Sequence, residues 1–593
     1  MAASPNLKIV PKAMVESVAE AKPGPNANLS KPRAVSRLKL ASKRKAQLGL
    51  RIWMERVLEE CDRAAAGFDA DPVHDLRVAL RRCRSLADGL MAIDPDDSWK
   101  DMKKAGKKIF QALGELRDMQ VMEEWIEKLS ESTALRDAPW NDGNVRGAGK
   151  TEVALASTNA LPAENSGAAR QPASSAALLA MNTTGETVYT DPVEVRLLDH
   201  VRRREAELKE RAFRDLSQFD RKQWKQWSKS LPQRAARVRP GSAVYLHLAL
   251  EKWTAAYDLH KQAMRARTQT SWHQLRIGIK RFRYTVENFL PKQHAQWGSD
   301  LKELQDLLGE VHDLDVLWAT AVECGALGDV DSSERWRTKL TAERDKRLAR
   351  YRQMMVGRES LWKVWRAELP SGPRLRAAAM SRLQMWAAYL DPNFAHSRRV
   401  AQLALLLYDG LKSAGLGSGK MAELEFDPRE VLQAAALLHD VGKAKGAENH
   451  QKASYRMIRG MARPLGWSAR ELDLTAVVAR YHRGGLPRPR AKVMQILELP
   501  DRRLATELAA VLRLANALDA RAGGEVPALA VRYEHNLVTV LATGYSPLDR
   551  SAEDVAAARH LLETVLRRPV MVKAMRAAVG GRMPSPRTGR TSG

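Results

Sequence analysis

The chain writes one histidine-led basic segment twice. His74-Asp75-Leu76-Arg77-Val78-Ala79-Leu80-Arg81-Arg82-Cys83-Arg84 and His273-Gln274-Leu275-Arg276-Ile277-Gly278-Ile279-Lys280-Arg281-Phe282-Arg283 share a common register. On a helical wheel of about 100° per residue, Leu76, Leu80, Cys83, Ala87 and Leu90 form one apolar stripe. Leu275, Ile279, Phe282, Val286 and Phe289 form the same stripe in the second copy. Each stripe predicts a helix buried along that face. His74, Arg77, Arg81 and Arg84 then line one flank of the first stripe, and His273, Arg276, Lys280 and Arg283 the equivalent flank of the second. The echo continues, with Gln111-Ala112-Leu113-Gly114-Glu115-Leu116-Arg117-Asp118 answered by Asp306-Leu307-Leu308-Gly309-Glu310-Val311-His312-Asp313. A spacing of roughly 200 residues is too long for a solenoid repeat and predicts a duplicated helical bundle. A merely solvated helix face, its arginines snorkelling over apolar neighbours, does not require cations at matched wheel positions. Two matched rows therefore predict a concave surface for a polyanion.

The composition agrees. The 593 residues, 44% of them hydrophobic, suffice for several buried cores, and the formal net charge of +27 favours nucleic acid, an anionic membrane or a phosphate polymer as partner. The three cysteines, Cys61, Cys83 and Cys324, are odd in number and widely spaced. That predicts a reducing compartment and no disulfide or zinc framework. No run of about 18 apolar residues offers a membrane span, and the first 35 residues lack the apolar segment of a secretory signal. The expectation is a soluble, cytoplasmic protein.

Residues 1–35, rich in Pro, Asn, Lys and Ala, read as a disordered basic arm. Helical periodicity starts at Ser36, with helices expected over 71–92 and 97–130. From 139 to 190 the chain is dominated by Ala, Ser, Asn, Gly and Thr, the composition of a flexible insertion. The second copy follows and ends in a long basic amphipathic helix with Trp336, Leu340, Leu348 and Tyr351. Helices are expected again over 395–413, 428–440, 450–463, 468–482 and 502–520. Only 529–533 and 537–541 read as strands, a hairpin turned at Glu534-His535-Asn536. The final residues, with Pro584, Pro586 and Gly589, read as a frayed tail.

A second constellation lies in this C-terminal region. His396, the pair His439-Asp440, and Asp519 fall on three helical segments, and all are residue types that ligate divalent metals. His439-Asp440 follows the apolar run Ala434-Ala435-Ala436-Leu437-Leu438, and unpaired ionisable groups at the end of a buried helix are costly. His450 and His482 are candidates for a second metal position or a phosphate contact, against the plain reading of surface histidines. Lys443 is a candidate for a phosphoryl oxygen, against the plain reading of a solvated lysine.

Two family resemblances rest on these residues. Residues 36–368, with the His-x-x-Arg-Val/Ile opening and the Gly-Glu-x-x-Asp segments in both halves, resemble the CHAD domain, the conserved-histidine alpha-helical domain. That family is a pseudo-twofold helical fold whose basic central groove binds inorganic polyphosphate. The resemblance implies groove residues His74, Arg77, Arg81, Arg84, His273, Arg276, Lys280 and Arg283. Lys103, Lys104, Lys107 and Lys108 are added from the first copy; the second copy offers Lys302 in their place. Residues 374–579 resemble an HD-type metal-dependent phosphohydrolase. His439-Asp440-Val441-Gly442-Lys443, His450-Gln451-Lys452-Ala453-Ser454-Tyr455, Arg480-Tyr481-His482-Arg483-Gly484 and Leu512-Arg513-Leu514-Ala515-Asn516-Ala517-Leu518-Asp519 are similar to the C-terminal helical domain of the exopolyphosphatase and guanosine pentaphosphate phosphohydrolase family. In that family the polyphosphatase chemistry belongs to an N-terminal actin-like domain, whose place is taken here by the basic bundle.

These resemblances imply a mainly α fold: a duplicated pseudo-twofold bundle, then an all-helical HD-type domain with a small β-hairpin. They imply a divalent cofactor (Mn, Fe, Co or Mg) held by His396, His439, Asp440 and Asp519, with Lys443 touching phosphate and Asp440 serving as an additional base. The expected function is binding of inorganic polyphosphate by the groove, with association to polyphosphate granules, and hydrolysis of a phosphate ester or anhydride at the HD site. A non-catalytic granule-targeting scaffold is the alternative. Nucleic-acid binding is the third reading, disfavoured because an aromatic content of 6% leaves little for base stacking.

Overall fold

The computed structural model describes residues 49–66, 68, 70–137, 191–412, 416, 424–519, 528–548 and 551–575. The expected arm, insertion and tail lie outside these residues. The first half of the duplication comprises α1 (Gly49–Ala64), α2 (Ala70–Leu90), α3 (Ser98–Ala105), α4 (Lys107–Asp137), α5 (Pro192–Ser217) and α6 (Arg221–Ala235). The second comprises α7 (Ala243–Ala266), α8 (Gln269–Phe289), α9 (Pro291–Glu323), α10 (Val330–Met355) and α11 (Leu361–Glu368). Both expected stripes are core, since all ten of their residues are buried. The helix expected over 97–130 is broken at Gly106, where a side chain would crowd Leu80 and Trp224.

The two copies meet through α2 and α8, and again through α4 and α9. Gly89 lies directly under the Phe289 ring, leaving no room for a Cβ, and Asn288 donates to Ser85 at 3.0 Å. The first core gathers both stripes together with Trp99, Trp224, Trp272, Trp362 and Trp365. A separate apolar cluster joins the distal parts of α4, α5, α9 and α10 around Trp125 and Trp336. Asp191 caps α5 by accepting from the Val193 N–H, with Pro192 at the first helical position, where its missing N–H costs nothing.

The remaining elements are α12 (Gly372–Leu390), α13 (Phe394–Leu411), α14 (Pro428–Leu438), a 3₁₀ turn (Val441–Lys445), α15 (His450–Gly460), α16 (Ala469–Arg480), α17 (Lys492–Gln495), α18 (Leu499–Leu518) and α19 (Ser551–Leu566). The hairpin forms as β1 (Leu529–Glu534) and β2 (Leu537–Ala542), but a third strand, β3 (Val570–Ala574), adds parallel to β2. The protein is therefore mainly α with one small C-terminal sheet. Helix α12 packs on α7 of the duplicated bundle and on α14. Its Arg382 reaches Glu251 and the Ala92 carbonyl, while His247 lies 3.0 Å from the Leu465 carbonyl. Among the described residues no helix is long and apolar enough to cross a membrane.

Candidate functional site: a basic groove and a histidine–aspartate cluster

The pairing of α2 with α8 turns the two cationic flanks toward each other. Lys280 feels its strongest charges from Arg276, Arg81, Arg77 and Asp313, and burial together with those arginines pushes its amine down to about 7. Arg77 and Arg276 are also depressed, first by burial; Arg77 lies 4.0 Å from Asp118. The Nε atoms of Arg81 and Arg276 are buried without a hydrogen-bond partner. The opposing carboxylates are Asp118 and Asp313, the last residues of the two Gly-Glu-x-x-Asp segments. Partial desolvation pushes Asp313 up to about 6 and raises the more exposed Asp118 as well, although cations face each. Tyr284 lies beneath two guanidinium groups, with Arg81 and Arg283 about 5.8 and 6.0 Å from its ring centre.

The other expected groove residues differ in their contacts. His74 is exposed, and His273 stands 3.3 Å from His312, nitrogen to nitrogen; all three imidazoles are depressed, chiefly by burial and then by neighbouring cations. Arg84 donates to the Lys103 carbonyl at 2.7 Å and lies over Phe110, so its guanidinium braces α3. Arg283 lies 4.0 Å from Glu287, which pairs with Arg82 at 2.5 Å. Lys103 pairs with Asp88, and Lys104, Lys107 and Lys108 are exposed on α3 and the start of α4. The structure thus brings together Arg77, Arg81, Arg276 and Lys280. Sequence reasoning passed over Arg117, Asp118, His312 and Asp313, although their equal offsets after the two Gly-Glu pairs were the signal for them.

In the C-terminal region, His439, His450 and His482 follow one construction. Each Nδ1 lies 2.7 to 2.8 Å from the carbonyl three residues earlier, on Ala436, Ala447 and Ala479. A carbonyl only accepts, so each Nδ1 carries the proton and each Nε2 presents a lone pair. All three Nε2 atoms face Asp440. Its Oδ1 is 3.0 Å from His450 and 3.7 Å from His482, and its Oδ2 is 3.4 Å from His439 and 3.9 Å from His396 Nε2. His450 and His482 approach to 3.2 Å through Nε2. Lys443 donates to Asp440 at 2.5 Å. Burial pushes the Asp440 carboxyl up, but the imidazoles around it and the ammonium of Lys443 outweigh that and hold the group far below its ordinary range.

Two groups emerge that can hold a cation: His396, His439 and Asp440, and Asp440, His450 and His482. The donor set fits a divalent transition metal, because converging imidazole lone pairs around one carboxylate repel unless a cation lies among them. His439 Nε2 is buried and has no hydrogen-bond partner, which points the same way. Asp519, expected as a ligand, is engaged by its neighbours in this structure. Both its oxygens are taken by Arg399, at 2.8 and 3.0 Å, and Oδ2 also meets His396 Nδ1 at 2.5 Å. In this geometry Asp519 orients His396 and raises its pKa against the effect of burial, while Asn516 Oδ1 lies 3.0 Å from Nε2 of the same ring. Arg399 and Asn516 were not singled out in the sequence, because both look like ordinary helix residues.

The turn that carries the cluster depends on Gly442. Its N–H donates to Ser454 Oγ at 2.9 Å, and that hydroxyl donates to the His439 carbonyl at 2.7 Å. A Cβ on residue 442 would overlap the His450 carbonyl oxygen and the Ser454 nitrogen. Gly442→Ala is expected to cost about 3 kcal/mol through overpacking. The melting temperature should then fall by roughly 6–12 °C and metal retention should drop. An unchanged melt would show that the turn accommodates the methyl group.

No curated protein matches the chain. Residues 50–322 match the CHAD domain family, and residues 376–540 match Ppx/GppA phosphatase, domain III. The chain therefore carries a CHAD domain followed by a Ppx/GppA phosphatase domain III.

Proposed function

We propose that the protein binds inorganic polyphosphate in the groove between α2 and α8 and hydrolyses a phosphate ester or anhydride at the histidine–aspartate cluster. The observation that carries the reading is the convergence of Arg77, Arg81, Arg276 and Lys280 on two carboxylates, a net positive and partly desolvated surface that a polyanion would complete. Repeating phosphate oxygens suit arginine forks, which grip equivalent sites without reading a base. A divalent cation held by His396, His439, Asp440, His450 and His482 would supply an electrophile for a phosphoryl oxygen and would acidify water near neutral pH. Lys443, hydrogen-bonded to Asp440, would pass to a phosphoryl oxygen. Association with polyphosphate granules follows from the same grip.

The test has two arms. Purified protein should bind long polyphosphate with strong salt dependence and in preference to RNA or DNA at fixed salt. Metal-loaded protein should hydrolyse at least one member of a panel of polyphosphate, guanosine penta- and tetraphosphate and cyclic nucleotides, and His439→Ala should lose that activity. Stoichiometric metal without hydrolysis of any substrate would leave the granule-scaffold reading in its place.

The groove should also respond to pH. Lys280, near 7, is charged below that pH; Asp313, near 6, is neutral below its own. Lowering pH from about 8 to about 5.5 therefore adds positive charge at both positions, while internal phosphates of the polymer stay singly charged. Affinity should rise on acidification, with a salt dependence steeper by about one to two released counterions. A flat or falling affinity across that window would contradict the assigned grip.

A further inference from the structure

Beside the histidine–aspartate cluster, and sharing His482 with it, lies a cavity of about 330 Å³. Its lining includes His482, Arg483 and Gly484 after α16, Arg513, Asn516 and Ala517 on α18, and Asp554, Ala557 and Ala558 on α19. His482 belongs to one cation-holding group, and Asn516 contacts His396 of the other, so the cavity opens on the reacting end of the cluster. Arg513 is fixed in place by donating to the Tyr481 carbonyl at 3.1 Å and the Gly484 carbonyl at 3.0 Å. Its Nε is buried with no partner. Among the described residues no carboxylate pairs with Arg513 or with Arg483, although both line the cavity. A half-buried guanidinium that meets only carbonyl oxygens is an uncompensated charge, and such a charge calls for an anion.

The opposite wall has another chemistry. Ala557 and Ala558 are short enough to leave the volume open, and Asp554 places an exposed carboxylate on the same helix. A polyphosphate end is anionic along its whole length and would meet Asp554 with like charge. A phosphate monoester whose other end carries hydroxyl or amine donors would meet it with hydrogen bonds. The volume is also at the small end of the range of about 300–1,000 Å³ typical of enclosing small-molecule pockets.

We propose that this cavity is the substrate pocket of the cluster and takes a small phosphate monoester of mononucleotide size, phosphoryl group toward Arg513, Arg483 and His482, donor groups toward Asp554. The inference rests on the hydrolase reading for its chemistry but has its own readout in binding. Isothermal titration of the full chain with AMP, GMP and glucose 6-phosphate, with manganese present, should find at least one that binds, while adenosine, guanosine and glucose do not. Ala557→Phe fills the cavity from an exposed position without disturbing the core, and should weaken that binding at least tenfold. Arg513→Gln should weaken it similarly. Asp554→Lys should shift preference toward tripolyphosphate by about tenfold, and none of the three should change binding of long polyphosphate.

No binding by any of these monoesters, or binding untouched by Ala557→Phe and Asp554→Lys, would overturn the pocket. Monoester turnover at the parent KM in Ala557→Phe would overturn it while leaving the hydrolase reading intact. Variant-sensitive binding without turnover of the bound monoester or of any substrate in the panel above would do the reverse, supporting the pocket and removing the hydrolase.

Discussion

Reversing Arg77 and Arg276 together, as Arg77→Glu/Arg276→Glu, is expected to abolish binding of long polyphosphate at physiological salt. The two guanidinium groups come from corresponding positions of the two copies and lie in the part of the groove where burial depresses both. Each charge-assisted contact with phosphate is worth about 1.5–3 kcal/mol. Losing two lowers affinity by roughly 10²–10⁴-fold, and the introduced carboxylates add repulsion. The fold should survive, because neither arginine belongs to the apolar stripes and the nearest carboxylate to Arg77 is 4.0 Å away. In contrast, Lys104→Ala/Lys107→Ala/Lys108→Ala should cost only a few-fold, since exposed charges are screened. Parent-like affinity in the double reversal, measured beside a thermal melt showing intact fold, would sink the assignment of the groove.

The parts of this arrangement that were legible in the sequence are those set by local period. The stripes of Leu76–Leu90 and Leu275–Phe289 declare their buried faces through 3.6-residue spacing, and duplication made the cationic flanks visible as a pattern. Which flank looks across at the other copy is a matter of packing, decided by contacts such as Gly89 under Phe289. For that reason the sequence echo that contains Asp118 and Asp313 does not by itself put them in the groove. The lysines after Met102 are less legible: a run of lysines has the same appearance on a groove wall and on an open surface. β3 escaped because five residues, Val570–Ala574, carry too little alternation, and their parallel pairing to β2 is nonlocal. At the cluster, residue types identified His439 and Asp440. The orientation of His450 and His482 depends on helix ends that put a carbonyl three residues back within reach of Nδ1. The role of Asp519 depends on Arg399, a partner that spacing alone does not reveal.

Asp440→Asn should remove bound metal and hydrolysis together, and more severely than any other single change at the cluster. One carboxylate serves both cation-holding groups, with Oδ1 toward His450 and His482 and Oδ2 toward His439 and His396. An asparagine has only one acceptor oxygen, so whichever way its amide turns, an N–H group faces one set of imidazole nitrogens. The substitution also removes the only negative charge in either group, leaving neutral imidazoles to hold a dication. Breaking a buried, fully engaged charge costs about 3–5 kcal/mol, or roughly 10²–10⁴-fold in metal affinity. Asp519→Asn is the control that separates the two carboxylates. If Asp519 acts by orienting His396, as its bonds to Arg399 and Nδ1 indicate, the change should cost about 10–100-fold and leave the group around His450 and His482 filled. Metal content by mass spectrometry, read beside melting temperature, distinguishes the outcomes. Full metal content in Asp440→Asn would remove the shared-carboxylate arrangement, and complete metal loss in Asp519→Asn would make Asp519 a direct ligand in place of an orienting one.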